Sequence, residues 1–224
     1  ILVATNQLDK AFELLQQHSF KPLAQNFERY YVDHRHLPRL TTNKYIAAVE
    51  LHRKLLKSIK IKKLSNELIL KNKICQKDVN IPCKIHLIEH NILNHEINDE
   101  GYRYQRINFR SVYDTLILCK SIYIVQPSRN IIKELCENKY VRNHFNKTNV
   151  FFNDLKNEYS KQDKFFTFWL TNPKLSYWKD ISIKRIVIIK ILANRLIKSL
   201  SNTDYSHDLW NDRKRVIENF KAKF

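Results

Sequence analysis

Apolar residues recur along this chain at helical spacing more often than at strand spacing. Leu8, Ala11, Phe12 and Leu15 form one stripe behind Thr5 and Asn6, either of which can cap a first helix. Pro22 suits a helix start, and Phe27, Tyr30 and Tyr31 predict a second short helix ending before Pro38. Thr42 opens the most regular stretch. Tyr45, Ala48, Val49, His52, Leu56 and Ile59 align on one helical face, with Arg53, Lys54, Lys57 and Lys60 off it or at its edge. Further helices are predicted over 65–74, over a histidine-rich run at 85–97, and from Ser111 through Ile124, where Asp114 completes a capping-box-like pair. Others are predicted over 129–140, from Asn149 through Leu155, over 182–200 and over 207–220.

The stretch 80–84 holds Pro82 and reads as a loop. Asn98, Asp99, Glu100 and Gly101 make the strongest turn signal and predict a boundary between an N-terminal lobe, 1–98, and a C-terminal lobe, 99–224. These are two halves of one domain or two small domains. Beyond the turn, 102–110 alternates in side-chain character and is expected to be extended. No internal repeat and no low-complexity linker interrupts the chain. The expected fold is a mainly α-helical globular one with that single short extended segment.

Composition changes this picture in two ways. The chain of 224 residues contains one glycine, Gly101. Dinucleotide-binding turns, Walker A loops and nucleophile elbows all need several glycines, so those enzyme classes are excluded. Lys and Arg number 40 against 22 Asp and Glu, a formal net charge of +18. Such an excess points to a polyanionic partner. The competing source is compositional drift, since Asn, Lys, Ile, Tyr and Phe are abundant while Gly and Ala are scarce. With 43% hydrophobic residues the chain can still bury a core.

The four cysteines form no C-x-x-C pair. They are expected to be free thiols in a reducing, intracellular compartment, cytoplasmic or an organellar matrix. The string Asn146-Lys-Thr148 matches a glycosylation acceptor, which such a compartment does not use. The most apolar run, 186–192, is interrupted by Lys190 and falls short of the roughly 18 to 20 residues of a membrane span, so no transmembrane insertion is expected. Residue 1 is Ile and Met is absent throughout, which suggests an initiator lost by processing or trimming.

Two strings carry enzyme-like chemistry. His86-Leu-Ile-Glu89-His90 places two imidazoles at i and i+4 on one helical face beside a carboxylate. The string resembles the H-x-x-E-H metal motif of the inverzincin peptidases. That resemblance implies zinc held by His86 and His90, Glu89 as base, and a downstream carboxylate ligand such as Glu134, Glu137 or Glu158. Arg29-Tyr-Tyr-Val-Asp-His34 resembles the R-x4-H signature of the HEPN ribonucleases, which are helical. It implies a phosphate grip by Arg29 and proton transfer by His34. The competing reading takes the histidines as ordinary helix-surface or core groups and 29–39 as a basic loop. On balance no catalytic residue, metal or cofactor is expected.

The polyanion reading rests on segments instead of one motif. Lys57, Lys60, Lys62 and Lys63 make a dense basic run. Tyr102, Arg103, Tyr104, Arg106, Phe109 and Arg110 interleave aromatic rings with guanidinium groups, a mixture that stacks unpaired bases and neutralises phosphates. The aromatic run 165–170 suits burial against a partner protein. The helix over 182–200, apolar with Lys184, Arg185, Lys190, Arg195 and Lys198 around it, suits a core, a membrane surface or nucleic acid. The expectation is a basic, non-catalytic nucleic-acid-binding protein, RNA more than DNA, such as a structural subunit of an organellar ribosome. The alternatives are a small metal-dependent hydrolase, a HEPN-like ribonuclease, or a scaffold subunit of a protein complex.

Overall fold

Helix accounts for 68% of the computed structural model, and among the described residues strands form two small sheets, so the mainly α expectation holds. The structure describes residues 1–23, 35–57, 64–125, 131–151 and 163–221. The chain divides into two compact units: residues 1–54 with 181–224, and residues 55–180. Residues 98–101, read from sequence as a boundary, lie inside the second unit.

In the first unit a 3-10 turn, Thr5–Gln7, leads into α1 (Leu8–Gln17), where the sequence placed its first helix. Three short antiparallel strands follow: β1 (Lys21–Pro22), β2 (Leu40–Thr42) and β3 (Tyr45–Val49), in that order across the sheet. They overturn the helix expected to open at Thr42. Leu40 pairs with Val49 and Thr42 with Tyr45, leaving a two-residue turn at Asn43 and Lys44. Arg39 clamps Glu50 at 2.7 Å beside the β2–β3 pair, and Leu37 donates its amide to Leu51. The apolar spacing that suits a helix here also suits a hairpin, and cross-strand pairing decides between them. Leu8, Leu40, Leu51, Ile188 and Tyr205 are the buried apolar residues of this unit.

The long helix α9 (Pro173–Ser201) contains the predicted 182–200 segment. The expected single tail helix is two, α10 (Thr203–Asn211) and α11 (Arg213–Lys221), broken at Asp212, whose carboxylate holds Arg215. Asn202 caps α10 by accepting from the Tyr205 amide at 2.8 Å. The helix predicted around Phe27, Tyr30 and Tyr31 falls largely outside the described residues.

The second unit opens with α2 (Asn66–Lys71), capped by Ser65. It stops short of the predicted 65–74 because β4 (Ile74–Gln76) and β5 (Val79–Ile81) form a hairpin. Its turn residues, Lys77 and Asp78, take φ of 48° and 65° without any glycine, so the usual sequence signal was missing. The histidine-rich helix appears as α3 (Lys84–Leu93), extended by a π-helical turn, Asn94–Asn98. Then come α4 (Gly101–Tyr104), α5 (Phe109–Val125), α6 (Ile131–Cys136), α7 (Lys139–Thr148) and α8 (Lys164–Thr171). Asn149 closes α7 instead of starting a helix, and Phe152 and Leu155 lie outside the described residues.

α3 packs on α5 and α7 around Ile88, Ile92, Leu93, Val112, Val141 and Phe145, none of which touches solvent. Asn91 ties α3 to α5, donating to the Ser111 carbonyl at 2.7 Å and the Thr115 hydroxyl at 3.0 Å. The extended reading of 102–110 is corrected. Tyr102–Tyr104 belong to α4, Gln105 leaves it with φ of 53°, and α5 has begun by Phe109. Asn108 supplies the cap, accepting from the Ser111 amide at 3.2 Å. Ser111 is therefore buried in the first turn and does not start the helix.

The lone glycine is needed for space. Gly101 does not take positive φ; its neighbour Glu100 does, at 60°. A Cβ on Gly101 would stand 2.4 Å from Nε2 of His95, which is buried. Gly101→Ala is therefore expected to destabilise the protein by about 1–3 kcal/mol through overpacking. Glu100→Gly, which relieves a left-handed residue, should be neutral or stabilising. Urea midpoints at unchanged m-value check both; an Ala variant as stable as the parent would contradict the close approach.

Candidate nucleic-acid interface

The π-helical turn winds Glu96 and His95 inward on successive positions. On α7, His144 and Lys147 are three residues apart and so share one face. The side chains of Glu96, His144 and Lys147 are all 0% exposed. Glu96 Oε1 accepts from His144 Nδ1 at 3.1 Å, and Oε2 accepts from Lys147 Nζ at 2.8 Å. The ammonium also donates to the Arg106 carbonyl at 2.9 Å and the Gly101 carbonyl at 3.4 Å. His95 Nε2 donates to the same Arg106 carbonyl at 3.1 Å. Burial pushes the His144 imidazole below its usual range, against the raising effect of Glu96, so it stays neutral at pH 7. Burial also pushes Lys147 down, with Glu96 opposing, and three oxygen acceptors hold it as an ammonium.

This ionic centre fixes both ends of α4 from inside and so presents 102–110 at the surface. Tyr102, Arg103, Arg106 and Arg110 are exposed and Tyr104 is half-buried. The Arg106 guanidinium lies 4.9 Å over the Tyr104 ring and is paired with Asp180. Lys179 donates to the Tyr104 carbonyl at 2.9 Å and sits 4.6 Å over the Trp169 ring. Tyr102 meets Tyr140 edge-on at 4.9 Å, with Lys139 over Tyr140. Arg103 pairs with Glu100 at 3.0 Å. Burial, then Glu100, raises the Tyr104 hydroxyl above its usual range, which keeps it a neutral phenol.

Beside these residues an open cleft of about 310 Å³ is lined by Gln105, Phe166, Trp169, Leu170, Pro173 and Tyr177. Asp163 caps α8, accepting from the Phe166 amide at 2.9 Å, and Pro173 starts α9, so the α8–α9 corner forms the cleft wall. Trp169 Nε1 and Gln105 Oε1, a donor and an acceptor, are themselves buried and without a hydrogen-bond partner among the described residues. Phe165, Phe168 and Tyr177 expose their rings.

The structure thus brings together two segments that the sequence treated separately, 102–110 and 165–170, and adds Tyr177 and Lys179. No local pattern marks those two, because their place depends on the α8–α9 corner. Lys57 is exposed, but its polar groups are engaged with the π-helical turn. Its amide donates to Asn98 Oδ1 at 3.0 Å, and its ammonium to the Asn98 carbonyl at 2.8 Å. Lys60, Lys62 and Lys63 lie outside the described residues, as do Arg29 and His34.

His86, Glu89 and His90 sit on α3, the first two buried, and burial pushes His86 below its usual range. Among the described residues no group of three or more His, Cys, Asp or Glu side chains is placed to hold a metal ion. Glu134 and Glu137 complete none, and Glu158 lies outside those residues. The four cysteines are unpaired, and burial pushes Cys119 and Cys136 up to about 11, so both remain thiols. Comparison with protein-family models, curated proteins and solved structures returns no match.

Removing one member of the ionic centre leaves a buried charge uncompensated. Lys147→Met is expected to cost about 3–5 kcal/mol in denaturant unfolding. Acid titration is a second test. His52, His86 and His144 are all pushed down by burial, so the unfolded chain binds protons first. Stability should be full above pH ~6.5 and fall as pH drops through that value, by up to ~1.4 kcal/mol per pH unit for each histidine. His144→Gln should reduce that slope between pH 6.5 and 5.5; an unchanged slope would mean His144 does not titrate in this way.

Proposed function

We propose that the protein is a non-catalytic binder of single-stranded nucleic acid, RNA in preference to DNA, acting within a ribonucleoprotein. The observation that carries this reading is the surface on which Tyr104, Arg106, Trp169 and Lys179 interlock beside the aromatic cleft. Cations neutralise phosphates there, and exposed rings offer faces on which unpaired bases stack. The cleft accepts the edge of one base. Its walls, among them Trp169 and Tyr177, offer that base aromatic contact. The net charge of +18 draws the strand toward the surface over longer range.

Exposed Phe165 and Phe168 on α8, which do not line the cleft, also suit a protein neighbour, as expected of a subunit in an assembly. Fluorescence anisotropy with a short single-stranded RNA tests the reading. Affinity should fall steeply with salt through counterion release. Arg103→Ala with Arg106→Ala should weaken binding and lower the salt slope by about 1 for each phosphate no longer neutralised. Tyr177→Ala should cost about 1–3 kcal/mol as base stacking is removed. Arg213→Ala, on α11 with its guanidinium over Trp210 of α10, is the control and should change little. Affinity indifferent to salt, or equal weakening in the control, would remove the reading. Co-purification with a defined set of proteins and no nucleic acid would favour a scaffold instead.

A further inference from the structure

From Ile181 to Thr203 the chain carries Lys184, Arg185, Lys190, Arg195 and Lys198 and no acidic residue. Within α9 the apolar residues divide between two sides. Ile188 is buried and Ile183, Val187 and Ile191 are half-buried, whereas the opposite side is open. There Ile186, Ile189, Leu192, Leu196, Ile197 and Leu200 are between 49% and 82% exposed. At 100° per residue these six, with Ala193 between them, cover an arc of about 140° over a length of about 21 Å. A helix that is apolar on both sides is stable only when both are covered.

A second copy of this chain is disfavoured as the cover. The seam of a parallel helix pair would set Arg185 opposite Lys190 of the other copy, and either orientation adds positive charge to positive. The apolar arc is also wider than a two-helix seam, because Leu192 and Ile197 lie beyond the alternating three-and-four spacing of Ile186, Ile189, Ala193, Leu196 and Leu200. Arg185 stands just inside one edge of the arc, at its N-terminal end, and Lys190 just outside the other, both exposed. Long cationic side chains at the rim of a broad apolar face can bury their stems while their heads reach anionic groups. We infer that this face of α9 lies on an anionic lipid surface, its apolar side chains in the headgroup–acyl boundary and its cations on lipid phosphates or carboxylates. The helix would lie in the plane of the surface; no described helix is long and apolar enough to cross a membrane.

The full chain is sedimented with vesicles of phosphatidylcholine alone and of phosphatidylcholine with 30% phosphatidylserine, a composition chosen as roughly that of an anionic leaflet. Binding to the second, weakened by salt, and little to the first is the expected result. Ile189→Gln with Leu196→Gln keeps the charge and removes apolar surface at solvent-facing positions, so folding should survive. It should lower partitioning by roughly tenfold or more. Arg185→Gln with Lys190→Gln should lower it on anionic vesicles while leaving the residual zwitterionic binding in place. RNA binding through the 102–110 surface should be unchanged in both variants, which separates this inference from the proposed function. Vesicle binding that survives the Ile189 and Leu196 changes would be charge adsorption alone and would overturn the inference. So would absence of binding to anionic vesicles, or sedimentation as a dimer that the same changes dissolve.

Discussion

A carboxylate with no solvent contact, Glu96, is the constraint on which the second unit is arranged. Left alone such a charge would cost several kcal/mol, and both of its oxygens are used to avoid that. One holds a neutral imidazole and the other an ammonium. The ammonium then reaches two backbone carbonyls, of Gly101 and Arg106, at the two ends of α4. Replacing the whole set by apolar residues of equal volume could be as stable, but it would not fix those carbonyls. The centre therefore acts on geometry. It determines where α4 starts and where the chain leaves it, and hence which way Tyr104 and Arg106 face.

The surface above that centre is organised as charge over ring and ring against ring, and several of its cations already have acidic neighbours. Arg106 has Asp180 and Arg103 has Glu100, each partly exposed. Exposed pairs of this kind contribute little, about 0–1 kcal/mol, so under the proposed function a phosphate would displace the carboxylate at small expense. Their larger effect is to restrict the guanidinium groups beforehand, so less side-chain freedom is given up when a ligand arrives. Lys179 does the same from α9, with its ammonium between the Tyr104 carbonyl and the Trp169 ring.

Much of the helical framework was legible because long amphipathic runs specify themselves. α1, α3, α5 and the part of α9 from residue 182 on stand close to where apolar spacing placed them. The stretch from Thr42 misled for a physical reason: its helical spacing was real, but the partners that decide its state, Leu40 and Arg39, precede it. The hairpin at 74–81 was hidden because Lys77 and Asp78 do what Asn-Gly usually does. At the candidate interface the aromatic and arginine residues of 102–110 could be named from composition alone. The groups that position them could not. Glu96 and Lys147 are 51 residues apart, and charged residues are by default read as surface.

Glycine scarcity has a consequence for how this chain comes apart. Among the described residues, Ser19, Lys77, Asp78, Glu100 and Gln105 hold left-handed backbone conformations that glycine would adopt freely. Side-chain-bearing residues resist that conformation by about 1–2 kcal/mol each, less for Asp. A chain almost without glycine also has fewer unfolded conformations to give up on folding, which offsets part of that resistance. Each such corner is therefore kept bent by the elements it joins, through backbone hydrogen bonds around Ser19, the β4–β5 pairing at Lys77 and Asp78, and the buried Gly101 beside Glu100, and is not bent by preference. It behaves as a loaded spring: once its neighbours loosen, the corner straightens and pulls them further apart, so fraying at one turn spreads to the elements it joins.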